Sequence, residues 1–148
     1  MEKKILFIED NNIKANAIIT MLNSHYQCDI VWKESFRTGI KSAIEGNYDL
    51  LLLDMSLTNW ERNITINNNS EKFGGITILR EMKRKGILIP TIVITMFNEF
   101  GVGDSFVDLA HLDKLLKSDF PEIYKGYIKY MSNEKKWENE LSKLIDSI

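Results

Sequence analysis

Residues 49–55 read DLLLLDM, four leucines closed by Asp54. A run this short, apolar at every position and free of alternation, reads as a strand buried on both faces, the pattern of a parallel sheet covered by helices. Its last residue is a carboxylate carried on a buried stem. The same arrangement recurs outward along the chain. KILFI (residues 4–8) is followed by Glu9 and Asp10, TIVI (91–94) by Thr95, and GYI (126–128) by Lys129. If these runs are parallel strands, every polar group emerges at one edge of one sheet, and that edge is where open α/β sheets bind and react.

The segments between them carry helical patterns. Ile13, Ala17, Ile18, Met21 and Leu22 form one apolar stripe, and Ile40, Ala43 and Ile44 form a shorter one ending near Gly46. Ile76, Leu79 and Met82 lead up to Gly86, just before Pro90 opens a strand. A final helix is predicted with Ser132 as its cap and Trp137, Leu141, Leu144 and Ile148 on its buried face. A further apolar run at 29–32 supplies a fifth strand. Strand and helix alternate throughout, as βαβ units require.

Two stretches break the rhythm. Residues 58–73 hold five asparagines around NITIN and read as a flexible loop or a small hairpin beside Asp54. Residues 98–122 show helical periodicity in Val107, Leu112, Leu115 and Leu116, yet are longer than one crossover helix needs. The expectation is one domain over residues 1–148 with insertions at about 58–73 and about 98–122. No room is foreseen for an effector domain.

Composition narrows the functional classes. With 19 Lys plus Arg against 21 Asp plus Glu and no basic cluster, the chain is not expected to bind nucleic acid directly. A single cysteine, Cys28, excludes disulfide stapling and a cysteine-rich metal site. The apolar runs fall short of a membrane span, so a cytoplasmic location is expected. His25 and His111 have no partner at metal-ligand spacing, and Trp32 and Trp137 read as packing residues.

The edge itself suggests phosphoryl chemistry. Three carboxylates, Glu9, Asp10 and Asp54, brought into one crevice repel one another and either raise a pKa or recruit a cation. Mg²⁺, which takes oxygen ligands and keeps several waters, suits them. Lys129 can set a positive charge against a phosphoryl group, the Thr95 hydroxyl can donate to it, and Asp54 is the candidate nucleophile.

The ordered set ILFIEDN, LLLLD, IVIT and YIK resembles the receiver domain of two-component response regulators over almost the whole chain. The resemblance implies a flavodoxin-like, doubly wound, five-stranded parallel sheet of order 2-1-3-4-5 with five helices. It implies that Asp54 accepts the phosphoryl group and that Asp10 ligates Mg²⁺ directly, with Glu9 acting largely through water. By the same resemblance the carbonyl of Ser56 would add a further metal ligand, Thr95 matches the switch hydroxyl, and Lys129 matches the family's lysine. Gly75 is similar to the glycine that opens the third helix. The implied partners are a histidine kinase or phosphotransfer protein and a downstream protein, with phosphorylation-dependent homodimerisation compatible with both. The only reactions foreseen are self-phosphorylation from small donors and self-dephosphorylation, so an enzyme in the usual sense is not expected.

The departures are specific. Gly126 stands three positions before Lys129, where the family commonly has an aromatic residue, and Tyr127 stands two before it. A bulge in the fifth strand would restore Tyr127 to the aromatic role. Met96 follows Thr95 where small residues are frequent. A phosphorylation-independent pseudo-receiver is the competing reading, whereas a haloacid-dehalogenase-type phosphatase would want an aspartate where Ser56 stands.

Overall fold

The computed structural model describes residues 2–55, 74–96, 99–100 and 107–148. Ser56, Trp60 and the whole 58–73 insertion lie outside them. Five parallel strands form the centre: β1 (Lys3–Ile8), β2 (Cys28–Lys33), β3 (Leu50–Leu53), β4 (Thr91–Thr95) and β5 (Tyr124–Lys129). Their order is β2-β1-β3-β4-β5, the 2-1-3-4-5 arrangement expected. The helices are α1 (Asn12–His25), α2 (Phe36–Glu45), α3 (Gly74–Lys85), α4 (Leu109–Asp119) and α5 (Lys136–Asp146).

The sheet is buried on both faces because its apolar runs are continuous. Leu6, Ile8, Leu51, Leu53 and Val93 pack beneath α2, α3 and α4. Ile5, Phe7, Leu50, Leu52, Ile92, Ile94 and Ile128 pack against α1 and α5. This parity assigns each residue just past a strand to a side of the sheet before any contact is considered.

Three helices begin on side-chain caps that relieve unpaired backbone donors. Asn11 accepts from the Lys14 N–H, Ser35 from Thr38 and Asp108 from His111. Gly86, with φ of 71°, turns the chain out of α3 in the left-handed region where a side chain would be strained. The segment before α4 contains a short antiparallel ladder in which Glu99 pairs with Asp108 and Phe100 with Val107, so Val107 is strand rather than helix.

The structure corrects several positions within otherwise correct elements. Ile13 is 79% exposed, and the buried stripe of α1 runs through Lys14, Ala15, Ile18, Met21 and Leu22. On α2 the buried residues are Phe36, Gly39 and Ala43, with Ile44 exposed. Leu115 of α4 is exposed while Leu109 is buried. Ser132 does not cap α5, which starts after Lys135 without a side-chain cap; Ile145 is buried and Ile148 is exposed. Each correction is a small rotation or shift of a helix whose existence was legible. Packing against the sheet, not the sequence stripe alone, chooses which of two adjacent residues faces inward.

Candidate functional site at the carboxyl edge of the sheet

The ends of β1 and β3 lie side by side, with Ile8 paired to Leu53 and the Asp54 N–H donating to the Ile8 carbonyl at 3.1 Å. This brings Glu9, Asp10 and Asp54 together. Each offers a carboxylate oxygen, and the three oxygens lie within 4.8 Å of one another. Glu9 is 1% exposed and Asp54 is buried, while Asp10 faces solvent.

Glu9 is held from several directions. Its backbone N–H donates to the Lys33 carbonyl, its own carbonyl accepts the Trp32 indole N–H at 2.9 Å, and its Oε2 accepts the Asn11 N–H at 3.1 Å. Burial pushes its carboxyl upward; the Lys14 ammonium pulls the other way and the Asp54 charge adds to the rise. Asp10 is also raised, by burial first and then by the charge of Asp54. Both acids are thus displaced upward by burial first, and the charge of Asp54 adds to the displacement of each.

Sequence reasoning missed Lys14. Its side chain is 2% exposed, and its Nζ lies 2.6 Å from Glu9 Oε1 and 3.7 Å from Asp54 Oδ1. The same Nζ donates to the Ile94 carbonyl at 2.8 Å. Glu9 Oε1 makes an ion pair with it rather than an aligned hydrogen bond. One signal was available: Lys14 stands four residues before Ile18 and eight before Leu22, on the buried line of the helix.

On the other side of the cleft, Thr95 and Lys129 are register partners across β4 and β5. Thr95 is fully buried, and the Lys129 ammonium donates to the carbonyl of Met96, itself partly exposed. Partial burial draws the Lys129 pKa down. The β5 bulge is present: Thr91 pairs with Tyr124 and Ile92 with Gly126, leaving Lys125 as the extra residue. After it, Gly126 backs onto Leu144 of α5 and Ile128 joins the α1/α5 core, so Tyr127 and Lys129 alternate onto the α4 side. Tyr127 borders an open groove of about 430 Å³ between α4 and α5, lined by Asp113 and Lys117 on one side and Glu140 and Leu144 on the other.

Gly75 stands close behind Asp54. A Cβ on it would come within 2.9 Å of the Met55 Cα and 3.1 Å of the Asp54 carbonyl oxygen, so the start of α3 can approach the end of β3 only without a side chain. His25, exposed at the end of α1, hydrogen-bonds the Met21 carbonyl, whereas Trp137 is buried and packs on Tyr130 with ring centroids 5.1 Å apart and planes tilted by 52°.

Comparison with known proteins decides the family. The chain is 30% identical over 149 residues to the Detocs response regulatory protein DtcB of Enterobacter cloacae, a match covering 98% of this chain and 99% of the relative. The chain belongs to the response-regulator receiver family. Solved receivers share its fold. A LuxR-family DNA-binding response regulator from Staphylococcus aureus superposes with a TM-score of 0.67 at 18% identity, covering 98% of this chain and 97% of the other. The receiver domain of the sensor histidine kinase PA1611 from Pseudomonas aeruginosa, described with a magnesium ion in its active-site cleft, gives 0.60 at 17% identity over 99% and 97%. No protein-family model matches this receiver's sequence. Among its described residues no helix is long and apolar enough to cross a membrane.

Proposed function

We propose that this receiver accepts a phosphoryl group on Asp54 from a phosphohistidine of a histidine kinase or phosphotransfer protein. The observation that carries this reading is the meeting of three carboxylates at the carboxyl edge of the sheet, beside the Thr95–Lys129 pair. In the transfer, a carboxylate oxygen of Asp54 attacks phosphorus as the phosphorus–nitrogen bond of the donor breaks. The imidazole leaves with the electron pair and takes a proton, and Asp54 becomes an acyl phosphate.

The donor set fits Mg²⁺. All three side chains present hard oxygen atoms, and the exposure of Asp10 leaves room for an ion that retains water. Magnesium in the cleft of the PA1611 receiver supports the same assignment here. Asp10 and Asp54 would hold the ion, Glu9 would act largely through water, and the Ser56 carbonyl, outside the described residues, is the remaining ligand proposed. Bound there, the ion supplies positive charge to the oxygens of the transferring group. Lys129 leaves the Met96 carbonyl to pair with the phosphoryl group, and the Thr95 hydroxyl donates to another of its oxygens.

Output passes to a downstream protein through the surface of α4, β5 and α5, where Tyr127 reports the movement of Thr95. The chain works as a cytoplasmic signalling domain, with self-dephosphorylation its only turnover and no direct contact with nucleic acid.

The test is intact mass after treatment with Mg²⁺ and acetyl phosphate. A gain of one phosphoryl group that disappears in Asp54→Asn and without metal is expected. No gain, together with no beryllofluoride binding, would overturn phospho-acceptance and point to a phosphorylation-independent interaction module.

A further inference from the structure

The geometry points to Lys14 as a resident counter-cation of the carboxylate cluster: its ammonium competes with the divalent ion for Glu9 and Asp54, so that this lysine sets how readily the site loads with metal. The inference rests on the reading of the cluster as a divalent-metal site.

Lys14 is placed for this by two independent constraints. Its backbone is held in the first turn of α1 by the Asn11 cap, through a bond of 3.0 Å. Its side chain then crosses the buried face of the helix and ends among the oxygens of Glu9, Asp54 and Ile94, with 2% of its surface exposed. A long, flexible lysine gives up rotamer freedom and hydration to sit there, which only several converging acceptors can offset. Two of those acceptors belong to the carboxylates that also offer oxygens to a metal.

An ion that takes oxygens from Asp54 and Asp10 therefore arrives beside an existing positive charge, and like charges a few ångströms apart in a half-buried site repel appreciably. Asp10 faces solvent and gives the ion its approach, whereas Lys14 lies beneath, on the α1 side. Were Glu9 and Asp54 to turn toward an ion, the ammonium would keep the Ile94 carbonyl as an acceptor. That carbonyl precedes Thr95 directly, so loading of the ion and the position of the β4 end are coupled through one side chain. Lys14 is thus a positioning residue, acting on the carboxylates rather than on the phosphoryl group.

Magnesium titration tests this without any phosphoryl transfer. Binding is followed by calorimetry and by the fluorescence of Trp32, whose indole N–H holds the Glu9 carbonyl. In Lys14→Met and Lys14→Gln the affinity for Mg²⁺ is expected to tighten by about tenfold or more, because the opposing charge is gone. In the wild-type protein the Lys14 Cε and Nζ resonances are expected to shift as Mg²⁺ is added, a readout independent of whether either variant folds. Affinity in the variants equal to or weaker than wild type, or resonances unmoved while Mg²⁺ binds, overturns the competition and leaves the metal site standing. Absence of Mg²⁺ binding in wild type and in the variants overturns both.

Discussion

Thr95 and Lys129 stand opposite each other across β4 and β5 because β5 carries one extra residue, Lys125, ahead of them. Were Lys125 paired in a regular ladder instead of bulged out, Thr95 would face Ile128, and Tyr127 and Lys129 would turn toward α5. The bulge therefore sets the geometry of half the site from a position well away from Asp54. It is made by Gly126, whose φ of 147° lies where side chains are strained and whose missing Cβ leaves space beside Leu144.

Gly126→Ala is accordingly expected to lower stability by about 1–3 kcal/mol, the range for forcing a side chain into a sparsely populated backbone region. A Cβ there would also approach Leu144 to 3.2 Å. Chemical denaturation of the two proteins measures the difference. Unchanged stability would mean that β5 tolerates a regular ladder at this point.

Tyr124 gives a prediction in alkali. Its hydroxyl donates to Asp113 at 2.6 Å, and burial, followed by that bond and the Asp113 charge, pushes the phenol far above its ordinary value. In the unfolded chain the phenol ionises near its usual pKa of about 10, while the folded one keeps its proton. The folded state then holds more protons than the unfolded one, so the contribution is complete below that pH and is lost as pH rises through it and beyond. Tyr124→Phe should cost about 1–2 kcal/mol near neutrality. The gap to wild type should narrow in urea melts carried out at progressively higher pH, and a gap that stayed constant would contradict the assignment.

Glu9 and Lys14 give a third. Glu9→Ala removes the nearest countercharge of a buried ammonium, a change expected to destabilise the metal-free protein by about 3 kcal/mol. Glu9→Gln keeps the shape and an oxygen for Lys14 and should lose clearly less. Equal losses in thermal melts would show that packing, not charge, governs this corner.

The strands were legible because a sheet covered on both faces demands uninterrupted apolar runs, and such runs are few in a chain of 148 residues. Helix boundaries were less so. Ser132 has the chemistry of a cap, yet α5 begins only after Lys135, since the turn leaving β5 decides where the helix can start. Ile13 and Lys14 show the same limit at one position. Hydropathy places the isoleucine inside and the lysine outside, and the structure does the reverse. A residue in the first turn of α1 lies over the carboxyl edge, where buried acceptors make a cation a better occupant than a hydrocarbon.

What the sequence determined by itself was the alternation of elements, the parallel sheet and the placing of Glu9, Asp10, Asp54, Thr95 and Lys129 at strand ends, since each follows from local periodicity and from the shared polarity of parallel strands. Tertiary structure alone decided how closely these groups meet and what joins them: the oxygens of three carboxylates within 4.8 Å, the ammonium of Lys14 among them, and a bulge placed at Lys125 that aligns Lys129 with Thr95. Those depend on register and on the rotation of α1 over the sheet, and both are set by contacts between residues far apart in the chain, which no local pattern records.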